Sequence, residues 1–209
     1  HREPIMPRRV LAAIIATLLG LSAGRAAELD YMKLFTAEEK EKAHVAAQSH
    51  ALPQDFVDGQ WQGIIAASDG RTYFSVSSHS PKHNAQFYRY DAEKDAVEHL
   101  IDVGVWCGYE DSPGNYNAQG KIHSNIFEHE GRLYCTTTSA HATLDHPYPG
   151  GHFLAYDLET GEFLNLGKVD YEGKGGLLSA VLDPKRERMY AIHQHETMLL
   201  YMDLNTREM

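Results

Sequence analysis

The sequence predicts an all-β fold built from repeated four-stranded antiparallel sheets, on three observations. After Pro53 helical periodicity is lost, and short β-like runs alternate with turns rich in Gly, Asp, Asn and Pro. A pattern of an apolar strand, a turn, Arg-x-Tyr and a second strand recurs at residues 64–79, 126–141 and 180–195. Each copy is followed by a tyrosine-bearing run that ends in Asp, at residues 86–91, 152–157 and 198–203. Four-stranded sheets that repeat radially form a β-propeller.

The N-terminal residues 1–27 are predicted to lie outside the fold. From Met6 the chain has two arginines, a short apolar run and then small residues, which is the order of a secretory signal peptide. Cleavage is expected after Ala26 or Ala27, and an uncleaved membrane anchor is the alternative. Residues 1–5 precede the expected start. We therefore expect a secreted or periplasmic protein.

A short helix is predicted in the lead-in segment, residues 28–60. Thr36 and Glu39 have the spacing of a capping box, in which each residue satisfies a backbone N–H group of the other. Residues 37–50 are good helix formers, and Pro53 marks the limit of the helix.

About three blades are predicted in the partial propeller that follows, residues 61–209. Their ranges are about 61–106, 121–169 and 177–209. In the first two blades, a fourth strand follows the Asp turn, at residues 97–104 and 163–169. The third blade reaches Met209 without a fourth strand, so we expect the sequence to be a fragment of a larger propeller. A β-sandwich is the alternative, but it would not repeat the Arg-x-Tyr…Tyr-Asp spacing three times.

The composition excludes one class of partner. The formal net charge is −10 at pH 7, and there is no cluster of Lys or Arg beyond the N-terminus. Because binding to phosphates needs a basic surface, a nucleic-acid partner is not expected. The two cysteines, Cys107 and Cys135, allow at most one disulfide within the chain, or they are buried free thiols.

Two stretches resemble a known family of secreted propellers. Residues 133–137 (LYCTT) are similar to the LYVTN-type strand of the YVTN and streptogramin-lyase-like superfamily, and residues 149–167 are similar to blade endings of bacterial secreted propellers. The resemblance covers roughly residues 61–209 and implies blade architecture. The streptogramin-lyase-like members also give some support to lyase chemistry, although their catalytic His and Glu residues cannot be placed here.

A histidine cluster is predicted at one rim of the blades. Antiparallel pairing places His123 near Thr138 with His141 just beyond, and it places His193 and His195 opposite Leu178. Residues i and i+2 of a strand face the same side, so both imidazoles of His193-Gln-His195 could bind one divalent metal ion. The predicted metal ligands are His123, His141, His193 and His195. Solvated loop histidines without a metal are the alternative.

Two long loops, residues 107–123 and 141–152, are the second candidate site. Both combine tyrosines with Gly, Asn, Asp and His, and such side chains suit the face and the hydroxyl groups of a carbohydrate. The predicted ligand-binding residues are Tyr109, Tyr116, His123, Tyr148 and His152. Carboxylates in loops that could assist a metal are Glu110, Asp145 and Glu196. The alternative is that these loops are ordinary connections between strands.

Two functions remain open at the level of the sequence. The first is a secreted module that binds a small molecule, a glycan or a protein through its loop rim, without a membrane partner once the signal peptide is removed. The second is a metal-dependent lyase or hydrolase that acts on a polysaccharide or a lactone. The chain contains no G-x-S-x-G, H-E-x-x-H, P-loop or G-x-G-x-x-G motif.

Overall fold

The computed structural model describes six stretches of the chain. These are residues 36–42, 48–109, 118–139, 147–169, 175–194 and 198–209. The predicted signal peptide lies outside the described residues. The chain divides into two units, residues 1–48 and 49–209.

The first unit contains helix α1, Ala37–Lys42. The predicted capping box is confirmed: the Thr36 N–H donates to a Glu39 carboxylate oxygen (2.8 Å), and the Glu39 N–H donates to Thr36 Oγ1 (3.2 Å). Residues 48–50 are not helical, so the helix does not reach the end of the predicted segment.

The described residues of the second unit form eleven strands and a short helix. The strands are β1 (Ile64–Ala66), β2 (Thr72–Val76), β3 (Gln86–Asp91), β4 (Ala96–Asp102), β5 (Phe127–His129), β6 (Arg132–Thr136), β7 (Gly151–Asp157), β8 (Phe163–Val169), β9 (Leu177–Asp183), β10 (Arg188–His193) and β11 (Leu199–Asp203). The helix α2, Val103–Trp106, follows β4 directly.

These strands form three antiparallel sheets in the predicted order. Sheet A contains β1-β2-β3-β4, sheet B contains β5-β6-β7-β8, and sheet C contains β9-β10-β11. Every pairing within them is antiparallel between strands that follow one another in the chain. The prediction of a propeller-like all-β fold is therefore confirmed.

Each sheet buries apolar side chains on the face that meets its neighbour. Between sheets A and B, Tyr73 packs on Tyr156 with ring centroids 5.5 Å apart. Between sheets B and C, Tyr134 and Phe153 pack against Met189. Sheet B packs against sheet A on one face and against sheet C on the other. Its third strand, β7, is therefore buried on both sides, and six successive residues of β7 are buried.

The repeated Arg-x-Tyr…Tyr-Asp spacing has a structural cause. The Asp that ends the third strand lies beside the Arg that begins the second strand, and its carboxylate also accepts the N–H groups of the following turn. The three ion pairs are Arg71–Asp91 (3.7 Å), Arg132–Asp157 (3.0 Å) and Arg188–Asp203 (3.5 Å). The hydrogen bonds to the Asp157 carboxylate lower its pKa to about 2, and the bond from the Thr160 N–H has the largest effect.

The strands end at two different rims. The turn rim contains the short turns that join β1 to β2, β3 to β4, β5 to β6, β7 to β8 and β9 to β10. The loop rim contains the other connections, of which those from β2 to β3, β4 to β5, β6 to β7 and β8 to β9 are longer. Cys107 and Cys135 are buried free thiols, which was one of the two predictions made from the sequence. No helix in the described part of the chain is long and apolar enough to cross a membrane.

Candidate functional site

Tyr109 and His152, two of the predicted ligand-binding residues, contact each other on the loop rim. The Tyr109 hydroxyl lies 3.3 Å from His152 Nε2, and the two rings are nearly perpendicular, with centroids 5.8 Å apart. His152 is the second residue of β7 and is buried, whereas Tyr109 is partly exposed. The phenol therefore connects a buried imidazole to the outer part of the rim.

The position of Tyr109 is set by the short helix α2. The Asp102 carboxylate caps this helix by accepting the N–H groups of Gly104 (2.8 Å) and Val105 (3.2 Å). Gly108 then adopts a φ of +92°, a conformation that residues with a side chain rarely take. The Tyr109 N–H donates to the Gly104 carbonyl (3.0 Å), which returns the chain towards β7.

Asn165 determines which nitrogen of His152 carries the proton. The Asn165 side-chain amide donates to the Cys107 carbonyl (2.8 Å), so its oxygen faces His152 Nδ1 at 3.1 Å and accepts from it. Nε2 is consequently the acceptor for the Tyr109 hydroxyl. Burial lowers the pKa of His152 to about 4, so the imidazole is neutral at pH 7.

A buried wall of polar groups lies beside this pair. Tyr148, also predicted to bind ligand, donates its hydroxyl to Gln119 Oε1 (2.5 Å), and Gln119 Nε2 donates to the Gly150 carbonyl (2.9 Å). The Gln119 N–H donates to Asn84 Oδ1 (2.8 Å), and the Asn84 amide donates to Asp102 (2.9 Å). Tyr148 is 1% exposed. It therefore supports the site from behind.

His123, predicted for both sites, lies in a second group on the same rim. We name this group the Trp61 cluster; its members are Asp58, Trp61, His79, Lys121 and His123. The Lys121 ammonium lies 4.2 Å from the centre of a Trp61 ring, and the His123 and His79 rings lie 5.5 and 5.0 Å from the indole. One face of the indole therefore meets a cation, and imidazoles approach it from both neighbouring sheets.

The pairing of the strands differs from the predicted register at two histidines. Thr138 pairs with Lys121 instead of His123. The reason is an insertion: the chain between Lys121 and Phe127 contains two more residues than the chain between their partners, Tyr134 and Thr138. His193 pairs with Leu177, at a register shift after Ile192, and it is 1% exposed. Its backbone N–H donates to the Met198 carbonyl (3.0 Å).

The predicted metal site is only partly within the described residues. His141, His195 and Tyr116 lie outside them, as do the loop carboxylates Glu110, Asp145 and Glu196. Of the residues that the structure describes, one group has three potential ligands within 4.8 Å of one another: His129, Glu130 and Glu187. This group lies on the turn rim, where His129 Nε2 lies 2.9 Å from a Glu187 carboxylate oxygen, between sheets B and C. The metal site at the loop rim stays a prediction.

Several residues of these clusters were not found by sequence reasoning. Asn165 and Gln119 act through contacts that span 13 and 31 residues, and Lys121 meets Trp61 across sixty positions of the chain. The sequence contained one weak signal: Trp61 is one of only two tryptophans and immediately precedes the first predicted strand.

Comparison with known proteins does not identify a family for this chain. No family model matches the chain. No curated protein matches it. Among solved structures, the extracellular domain of a one-component system from B. thetaiotaomicron has a TM-score of 0.39 and 16% identity; the match covers 76% of this chain and 18% of that one. A luciferin-regenerating enzyme has a TM-score of 0.36 and 14% identity, with coverage of 65% and 39%. The chain thus spans a small part of either protein, and neither similarity supports an argument about function.

The class of the protein is defined by its own sheets. Two complete four-stranded sheets and a third with three described strands pack face to face, with long loops at one rim. The protein is a propeller-like all-β protein. The polar groups described above are concentrated at that rim.

Proposed function

We propose that this protein is a secreted ligand-binding module, which binds a carbohydrate or a similar hydroxyl-rich ligand at the Tyr109–His152 pair. One observation supports this most: a neutral, buried imidazole holds the tyrosine hydroxyl in a fixed direction. The hydroxyl proton points to His152, which fixes the direction from which the hydroxyl oxygen can accept from a ligand donor. The partly exposed ring offers an apolar face of the kind that packs on a sugar.

The same geometry favours binding over acid–base catalysis. For Tyr109 to act as a base, its proton would have to move to His152 and form an imidazolium ion. Burial opposes that charge, because it lowers the pKa of His152 to about 4. Asn165 is an amide and cannot neutralise the imidazolium as a carboxylate would. The pair is therefore better suited to holding a ligand than to transferring a proton.

The supporting wall makes the site rigid before a ligand arrives. Tyr148, Gln119 and Asn84 are joined to Asp102 by successive hydrogen bonds, in which the Gln119 backbone N–H makes the link to Asn84. A binding group whose rotamer is already fixed loses less conformational entropy when the ligand binds. The wall therefore favours tighter and more selective binding than a flexible site would give.

The remaining parts of the proposal rest on the sequence. The signal-peptide pattern supports export to the periplasm or the medium. The LYVTN-like strand at residues 133–137 supports membership of the YVTN and streptogramin-lyase-like superfamily. The net charge of −10 argues against a nucleic-acid partner.

Isothermal titration of the purified chain with neutral mono- and oligosaccharides tests the proposal. We expect Tyr109→Phe to weaken binding about two- to twelvefold, because it removes one hydrogen bond of about 0.5–1.5 kcal/mol. Tyr90→Phe is the matched control, since it removes a hydroxyl that contacts Asp95 at the turn rim. Binding that is equal in the wild type and Tyr109→Phe would contradict the proposed site. A protein that binds no ligand but turns over a substrate would contradict the proposed function.

A further inference from the structure

The Trp61 cluster has a positive charge without a matching carboxylate. Within the described residues, no carboxylate oxygen lies within 4.0 Å of the Lys121 ammonium. The ammonium is partly buried, and this burial lowers its pKa. A partly buried cation without a counter-ion is unusual in a protein with a net charge of −10.

Asp58, the carboxylate of this cluster, is already occupied by another residue. Its Oδ1 lies 2.9 Å from His79 Nδ1 and also accepts the His79 N–H at 3.1 Å. Asp58 raises the pKa of Lys121 through space, but that effect is smaller than the effect of burial. Lys121 therefore lacks a direct anionic partner among the described groups.

His123 provides a second polar atom that is not satisfied. Its Nδ1 is buried and has no hydrogen-bond partner within the described part of the chain. The His123 ring packs on the same indole as Lys121, two residues further along the chain. Buried polar atoms in proteins are nearly always hydrogen-bonded, so an unpartnered nitrogen and a cation without a carboxylate partner, both in contact with one indole, indicate a missing acceptor.

We propose that Lys121 and His123 bind an oxyanion, the carboxylate or sulfate group of an acidic ligand, above the Trp61 ring. The oxyanion accepts from the Lys121 ammonium and from the N–H of His123, and it neutralises the charge that burial destabilises. A metal cation does not fit this position, because the ammonium would repel it.

The oxyanion site rests on its own contacts and does not depend on the proposed function. The two sites are nonetheless connected, because residues 119–123 contain both Gln119 of the polar wall and the two oxyanion ligands. An acidic saccharide that reaches both would bind more tightly than its neutral counterpart.

The test uses the full chain at constant ionic strength, titrated with galacturonate, sodium sulfate and galactose. Constant ionic strength is needed because added salt screens charges. We expect galacturonate and sulfate to bind and to change the fluorescence of Trp61, which is partly exposed, whereas Trp106 is buried. Lys121→Met should weaken both interactions about tenfold or more, which corresponds to a lost charge-assisted hydrogen bond. His123→Gln should weaken them by a smaller factor.

Lys185→Met is the matched control, because Lys185 is an exposed lysine on the turn rim. It should leave anion binding unchanged, and Lys121→Arg should restore most of it. Absence of anion binding in the wild type, or equal binding in Lys121→Met, would overturn the inference. Binding of sulfate without preference for galacturonate over galactose would assign the site to inorganic anions. None of these outcomes would change the interpretation of the Tyr109→Phe experiment, which tests a different site.

Discussion

Sheets A and B contain the same amide–imidazole pair with the residue types exchanged. In sheet A, Gln86 of β3 contacts His99 of β4 (2.7 Å); in sheet B, His152 of β7 contacts Asn165 of β8 (3.1 Å). The positions are equivalent, because each pair is separated by the same register shift between the third and fourth strands. The scaffold therefore fixes the position of a polar pair but not its role.

The exchange changes the surroundings of the imidazole. His99 is exposed on the outer strand and packs on the edge of Tyr88, and its partner Gln86 is also held by Asp102 (2.8 Å). His152 is 2% exposed on the third strand and faces Tyr109. A histidine on the outer strand stays in solvent, whereas one on the third strand becomes a buried, neutral acceptor at the loop rim.

The largest expected effect is the pH dependence that His152 gives to stability. Its pKa is about 4 in the folded protein and about 6.5 in the unfolded chain, so the unfolded state binds the extra proton between these values. The stability contributed by the neutral imidazole is complete above pH 6.5 and is lost as the pH falls to 4. The loss is about 3 kcal/mol, at 1.36 kcal/mol per unit.

Urea unfolding at pH 7.5 and pH 4 measures this effect, with His152→Gln as the reference without a titrating group. The wild type should lose about 3 kcal/mol more than the variant over this range. Parallel pH profiles for the wild type and His152→Gln would contradict the neutral, buried state of His152.

The next effect is the loss of each imidazole at constant pH. His152→Ala removes a buried ring and leaves the Asn165 oxygen without its donor, which costs about 2 kcal/mol or more. His99→Ala should cost less than about 1 kcal/mol, since its ring is exposed and Gln86 keeps its contact with Asp102. Chemical denaturation at pH 7.5 distinguishes the two variants, and equal losses would remove the distinction between the sheets.

The sequence predicted the fold well because the repeat is determined by local chemistry. In sheets B and C the Arg and the Asp pair directly in the strand register, and the turn after Asp157 is closed by the N–H groups of the residues that follow it, so the pattern is visible in a short window. The same reasoning overestimated helix α1, because residues 48–50 favour a helix in composition only.

The candidate site was harder to predict, because its geometry depends on long-range contacts. Sequence reasoning selected Tyr109 and His152 as polar loop residues, but Asn165, which sets the tautomer, lies on another strand. A two-residue insertion before β5 also moved Lys121 into the place expected for His123. Such insertions leave no local pattern, so a count of strand positions cannot detect them.

The smallest effect concerns the Tyr109 hydroxyl, which contacts His152 of β7 at the loop rim. Tyr109→Phe leaves His152 Nε2 without its donor, but the 3.3 Å distance indicates a weak hydrogen bond. We expect a loss of about 0.5–1 kcal/mol in unfolding free energy. Gln86 in sheet A makes no equivalent contact with a tyrosine among the described residues, and Tyr88→Phe, which removes a hydroxyl bonded to Gln54, serves as the control.

A double-mutant cycle of Tyr109→Phe and His152→Gln measures the coupling energy of the pair. Coupling near zero would mean that His152 is a structural residue only, whereas positive coupling together with weaker saccharide binding would assign it a positioning role for Tyr109.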